Sequence, residues 1–236
     1  MKRKFYLKTE VWEILEATED IKSTIQKLSQ YPVEKVISPL IGAFCHKNEV
    51  VKWKAVTAFG YFTAKIAEKE MERARIIIRR LMWMLNEESG GMAWGVPEGY
   101  AEALYNSPAL AKEYLPIFVS YLWNTESIGK YKADNYLEFV PAQRGVVWGL
   151  GRLAPKYKKE LLAERADSHL REHLNSPDDV VKLLSVWALL EFKDPEVLPG
   201  KDLLVGLLTS IQSKSTLIFD GEKIREITSK ELLKRL

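Results

Sequence analysis

The stretch NEESGGMAWGVPEGYAEAL (86–104) decides how the chain is read. Its four glycines, one tryptophan and one proline leave two choices, a phosphate-cradling loop or a wall of packed helix. A phosphate loop needs its glycines between a strand and a helix. The preceding residues, RIIIRRLMWMLN (75–86), instead carry an apolar stripe at helical spacing with arginines interleaved, and GxxxxGK[ST] is absent. Gly91, Gly95 and Gly99 recur at every fourth position, as do Gly145 and Gly149. On helices such residues form flat strips that let a neighbour approach, at a cost of roughly 1 kcal/mol per glycine relative to alanine. Pro97 must then open its helix in the first turn or kink it. The stretch reads as a packing device.

Working outward, the same pattern recurs. VKWKAVTAFGYFTAK (51–65), MAWGVPEGYAEALYN (92–106), AQRGVVWGLGRLAPK (142–156) and VKLLSVWALLEFKDP (181–195) align without gaps. Ala58, Gly99, Gly149 and Ala188 share one small-residue column, at spacings of 41, 50 and 39 residues. Ten residues before three of these stand Asn48, Ser89 and Asp178, which suit helix N-caps; the third unit has Phe139 there. Amphipathic stretches at 33–45, 70–86, 109–124 and 157–174 precede the four segments, which makes four helix pairs. The longest spacing places an insertion at 127–136. Residues 33–195 thereby resemble a HEAT-like, armadillo-type repeat array. That resemblance implies an all-α, right-handed solenoid of about four helix pairs. Residues 1–32 are expected to form an N-terminal helical cap. Residues 196–236 are expected to form a C-terminal cap, with a hairpin turning at Asp220-Gly221 and Ser229 capping a last helix.

Composition narrows function without naming it. The 236 residues are 47% hydrophobic and 28% charged, ordinary for a globular protein. A net charge of +3 does not by itself argue for nucleic acid. The basic runs at Lys2-Arg3-Lys4 and Lys230–Arg235 read as solvated termini. No apolar run reaches the roughly 18 residues that a membrane span needs, and the N-terminal residues turn acidic before a signal-peptide core forms. The chain is expected to be cytoplasmic. A single cysteine, Cys45, rules out an intramolecular disulfide and a Cys-based zinc cluster.

The positions five and one before the small-residue column, and three after it, lie on one helix face. They read Trp53, Thr57, Tyr61; Trp94, Glu98, Glu102; Arg144, Trp148, Arg152; and Leu183, Trp187, Glu191. In a HEAT-like array this face lines the concave floor. Two readings of the floor stay open. In one, Glu98 and Glu102 pair with Arg144 and Arg152 as a structural ladder beside stacked tryptophans. In the other, Trp53, Trp94, Glu98, Glu102, Arg144, Trp148, Arg152 and Trp187 bind a protein or peptide partner.

A narrower resemblance supplies the alternative. Trp94 with Glu98, then Gln143-Arg144, then Trp187 are similar to the concave quartet of HEAT-like alkylpurine DNA glycosylases, with glutamate where that family has aspartate. The resemblance implies tryptophans against a lesion-bearing nucleotide and a carboxylate that stabilises charge developing on the sugar. His169 and His173 stand four apart, a metal-compatible spacing, but read as a solvated helix face. Cys45 and His46 read as buried or boundary packing. The reading reached is a non-enzymatic binding protein with no cofactor and no metal, the alternative being a nucleic-acid-binding or glycosylase-like protein.

Overall fold

Helical periodicity becomes helix along most of the chain. A computed structural model describes residues 2–86, 94–123 and 135–236, with side chains from Leu7 onward. Ser89, Gly91, the side chains of Lys2-Arg3-Lys4 and most of the expected insertion lie outside the described residues. The elements are α1 (Lys2–Ala17), α2 (Ile21–Leu28), α3 (Val33–Gly42), α4 (Glu49–Lys69), α5 (Met71–Leu85) and α6 (Val96–Asn106). They continue with α7 (Pro108–Ser120), α8 (Val140–Ala163), α9 (Ala166–Glu172), α10 (Asp179–Glu191) and α11 (Lys201–Ser210). A two-stranded sheet, β1 (Ser215–Phe219) and β2 (Ile224–Thr228), precedes α12 (Ser229–Leu233).

Local chemistry explains the boundaries. Asn48 accepts from the Val50 N–H at 2.9 Å and Asp178 from the Val181 N–H at 2.9 Å, as N-caps should. Phe139 makes no side-chain cap, and a proline in the first turn opens α8 instead. Pro97 does the same for α6, so the proline opens its helix and does not kink it. Gly95, at φ 69°, turns the chain into that helix in a conformation glycine adopts freely.

Two expectations are corrected. Thr228, not Ser229, caps α12, accepting from the Glu231 N–H at 3.2 Å; the Ser229 hydroxyl donates to the Ile211 carbonyl at 2.9 Å. The stretch 157–174 is not one helix. With Pro155 inside it, α8 kinks at Tyr157 and runs to Ala163, and Arg165 then adopts a left-handed turn (φ 59°) before α9.

Two compact units divide the chain. The first comprises Met1–Lys112 with Gly221–Ile224. Its axis is α4, buried on nearly every side and packed against α3, α5 and α6. Lys54 of α4 is only 4% exposed, because its ammonium reaches the carbonyls that end α1, Leu15 O at 3.1 Å and Thr18 O. A buried lysine is tolerated where carbonyls replace its water.

The second unit comprises Glu113–Asp220 with Arg225–Leu236. In it α8 lies along α10 so closely that a Cβ on Gly151 would meet the Trp187 ring at 2.5 Å and the Ala188 Cα at 2.8 Å. Strand β1 and α12 pack on α10, burying Ile218, Phe219, Ile227 and Leu232. An isolated hairpin would be marginal, and this packing supplies its stability. Among the described residues, no helix is long and apolar enough to cross a membrane.

Candidate functional site

The predicted floor residues are placed mostly inside the protein. In the first unit Trp53 is 3% exposed, with the Lys52 ammonium 5.1 Å from its ring centroid. Glu98 and Glu102 are 4% and 1% exposed, whereas Trp94, just ahead of α6, keeps 43% of its surface. In the second unit Trp148, Arg152 and Trp187 are all buried, and Arg144 stays partly exposed. The expectation of an open floor is therefore revised. The stripe lies on helices packed on more than one side, so the face opposite the small-residue column meets protein as well.

Glu98 and Arg144 find other partners than the expected ladder gives them. Glu98 Oε1 accepts from the Lys52 ammonium at 2.7 Å, within the first unit. Its other oxygen, Oε2, is buried without a hydrogen-bond partner. Glu102 Oε2 accepts from the Asn106 side chain at 3.2 Å, and its backbone lies against Gly60. Arg144 makes a two-pronged bond to Asp178, Nε to Oδ1 at 3.0 Å and Nη2 to Oδ2 at 2.5 Å. Asp178 thus caps α10 and holds Arg144. Burial pushes its carboxyl upward, but the guanidinium and the Val181 N–H outweigh it and hold the group below the usual carboxylate value. Trp148 Nε1 donates to the Phe219 carbonyl at 3.0 Å, and the Arg152 guanidinium sits 5.2 Å from the Phe219 ring centroid.

Sequence reasoning missed Lys52, one residue before a tryptophan it had singled out. It saw Asp178 as a cap but not as an arginine's partner. It also missed the outer face of α5, where Ile76 is 56% and Trp83 64% exposed. The period-3.6 stripe of α5 contains the signal: Ile76 and Trp83 lie two turns apart, off the line of Ala74, Ile78, Leu81 and Leu85 that is buried.

The histidines are corrected too. His169 and His173 are 5% and 6% exposed, not a solvated face. His173 Nδ1 bonds the His169 carbonyl at 2.8 Å, and burial holds both imidazoles below their usual pKa. Among the described residues no group of three or more His, Cys, Asp or Glu side chains could hold a metal ion. Cys45 is exposed, not buried, and its thiol lies 3.5 Å from the Gly42 carbonyl. His46 turns to Glu16 at 3.3 Å, away from the cysteine.

Comparison with known proteins adds little to this geometry. No family model matches the chain. It is similar to an uncharacterized protein of Archaeoglobus fulgidus, 32% identical over 117 residues. That match covers 50% of this chain, which spans about half (53%) of the relative.

Proposed function

We propose that this chain is a non-enzymatic binding protein, built as a right-handed HEAT-like solenoid, that holds a protein or peptide partner. The observation carrying the proposal is the outer face of α5, where Ile76 and Trp83 stand 56% and 64% exposed on one stripe with Arg79 and Arg80 between them. Large apolar side chains grouped on a charged helix mark a contact surface, and tryptophan and arginine are both enriched at the energetic centres of interfaces. A partner fitting this face carries apolar anchors flanked by acidic residues. Of the predicted floor, Trp94 is the tryptophan left open enough to join such a contact.

A second reading has one observation in its favour. Glu98 keeps a buried oxygen without a partner, four residues after the exposed Trp94, in the positions where the glycosylase pattern has its tryptophan and carboxylate. Trp187, Arg144 and Gln143, the other members of that pattern, are committed within the fold, to Gly151, to Asp178 and to Tyr136 and Leu137. For that reason the binding reading stands first.

One set of proteins tests both. Wild type, Ile76→Ala/Trp83→Ala and Glu98→Gln are compared for capture of a partner, whose affinity is then measured with purified components. A partner lost by at least about tenfold in the α5 variant, with Tm unchanged, supports the binding reading. Binding to duplex DNA that collapses between about 50 and 200 mM salt, with release of an alkylated base abolished by Glu98→Gln, replaces it with the second.

A further inference from the structure

A pocket of about 570 Å³ opens in the second unit. Among the described residues, three short pieces of chain build it. The segment leading into α8 contributes Tyr136 and Glu138, the first turns of α8 contribute Val140 and Gln143, and the 172–177 corner before α10 contributes Glu172, His173 and Ser176. Its size is in the range of small-ligand sites.

The hydrogen bonds already made fix what the walls can offer. The Gln143 amide nitrogen donates to the Tyr136 hydroxyl at 3.0 Å and to the Leu137 carbonyl at 2.7 Å, which uses both its hydrogens and leaves its carbonyl as an acceptor. His173 Nδ1 is spent on the His169 carbonyl, so the neutral ring carries a lone pair on Nε2. That nitrogen is buried, in a residue only 6% exposed, and has no partner. The ring of Tyr136 stands 6.2 Å from that of His173, and two carboxylates, Glu138 and Glu172, complete the rim. Burial is the main reason the Tyr136 phenol is held above its usual pKa, and both carboxylates add to it, which puts them within electrostatic reach of that ring. Among the described residues neither lysine nor arginine lines the pocket.

Among the described residues, two carboxylates, a buried acceptor without a partner and an aromatic face come together with no cation between them, which favours a cationic guest. We propose that this pocket binds a small aliphatic amine in its ammonium form, with Glu138 and Glu172 as counter-charges, the Tyr136 ring as a cation–π surface, and His173 Nε2 and the Gln143 carbonyl as N–H acceptors. An ammonium donates without accepting, which suits the acceptors left on His173 and Gln143 and the two carboxylates. It also satisfies the buried imidazole nitrogen, whose lack of a partner costs the empty protein free energy. The chain as a whole is positively charged, at +3, so affinity for an amine has to come from a local site and not from the net field.

The test is calorimetric titration of the full chain with spermidine near pH 8 and about 0.15 M salt, where His173 is neutral and surface attraction is screened. The expected result is one saturable site, weakened about two- to fivefold by Glu138→Gln and by Glu172→Gln, since each removes a solvent-screened counter-charge. Both side chains lie toward solvent, so these variants should keep the wild-type Tm. Glu68→Gln, which removes an exposed carboxylate in the other unit, should leave binding unchanged. Nitrogen NMR of the histidines supplies a second readout, a shift of the His173 Nε2 signal as it gains a donor. Absence of saturable heat up to about 10 mM amine, well beyond useful affinity, overturns the proposal. Equal affinity in all variants overturns it, and so does equally tight binding of a neutral diol of the same length.

Discussion

Asp178 has two roles, and substitution separates them. It caps α10 through the Val181 N–H at 2.9 Å and holds Arg144 at 3.0 and 2.5 Å. Losing a side-chain cap costs about 1 kcal/mol, within roughly 0.5–2. The Arg144 side chain is 39% exposed and that of Asp178 20%, so water screens the pair. Its share is about 0–1 kcal/mol. Asp178→Ala should therefore destabilise the protein by about 0.5–3 kcal/mol, centred near 1–2. At roughly 2–4 °C per kcal/mol for a chain of this size, Tm falls by about 1–12 °C. Asp178→Asn keeps a capping oxygen and gives up only the charge, so it should lose about 0–1 kcal/mol, as should Arg144→Ala.

Thermal unfolding followed by circular dichroism reads all three variants. If Asp178→Asn proves as damaging as Asp178→Ala, the reasoning fails, and the ion pair rather than the cap anchors α10. Acid adds a second check. The folded carboxyl titrates below its ordinary value of 3.8, so its contribution is complete above that pH and is lost as pH falls through the folded value. The asparagine variant has no such loss.

Other outcomes follow from the same geometry. Gly151→Ala drives a Cβ to 2.5 Å from Trp187 and 2.8 Å from the Ala188 backbone, so it should cost about 1–3 kcal/mol or more in a melt. Gly206→Ala, in the exposed middle of α11 with nothing within 4 Å, should raise stability by about 0.5–1 kcal/mol. His169 and His173 titrate below their usual value of 6.5 in the folded protein, chiefly through burial. Stability is thus full above that pH and is lost as pH falls through the lowered folded values. A Tm that stays flat or rises from pH 7 to pH 5 would contradict this.

Particular residues show how much was legible in the sequence. Asn48 and Asp178 announced the starts of α4 and α10, and Asp220-Gly221 announced the hairpin, because caps and turns depend on atoms a few positions away. Pro97 was narrowed to two roles by its fixed φ, and the backbone took the first. Glu98 and Arg144 were singled out as unusual, and their partners were misassigned. Lys52 lies 46 residues from Glu98 and Asp178 34 from Arg144, and nothing local in a single sequence encodes such distances.

The same limit governs burial. Helical period fixed which residues share a face: Trp53 with Thr57 and Tyr61, Trp148 with Arg144 and Arg152, Ile76 with Trp83. Which of those faces meets protein and which meets water depends on the packing around each helix. α4 is covered by α3, α5 and α6, and α8 by α10 and the C-terminal hairpin, so stripes predicted to be open are closed. The face of α5 that looked unremarkable carries the exposed tryptophan. The sequence by itself determined helix, cap, turn and shared face, since these arise from contacts within a few residues. Only the tertiary structure decided solvent access, ion-pair partners and the acceptor-lined pocket of Tyr136 and His173, because each requires chain segments far apart in sequence to be brought together.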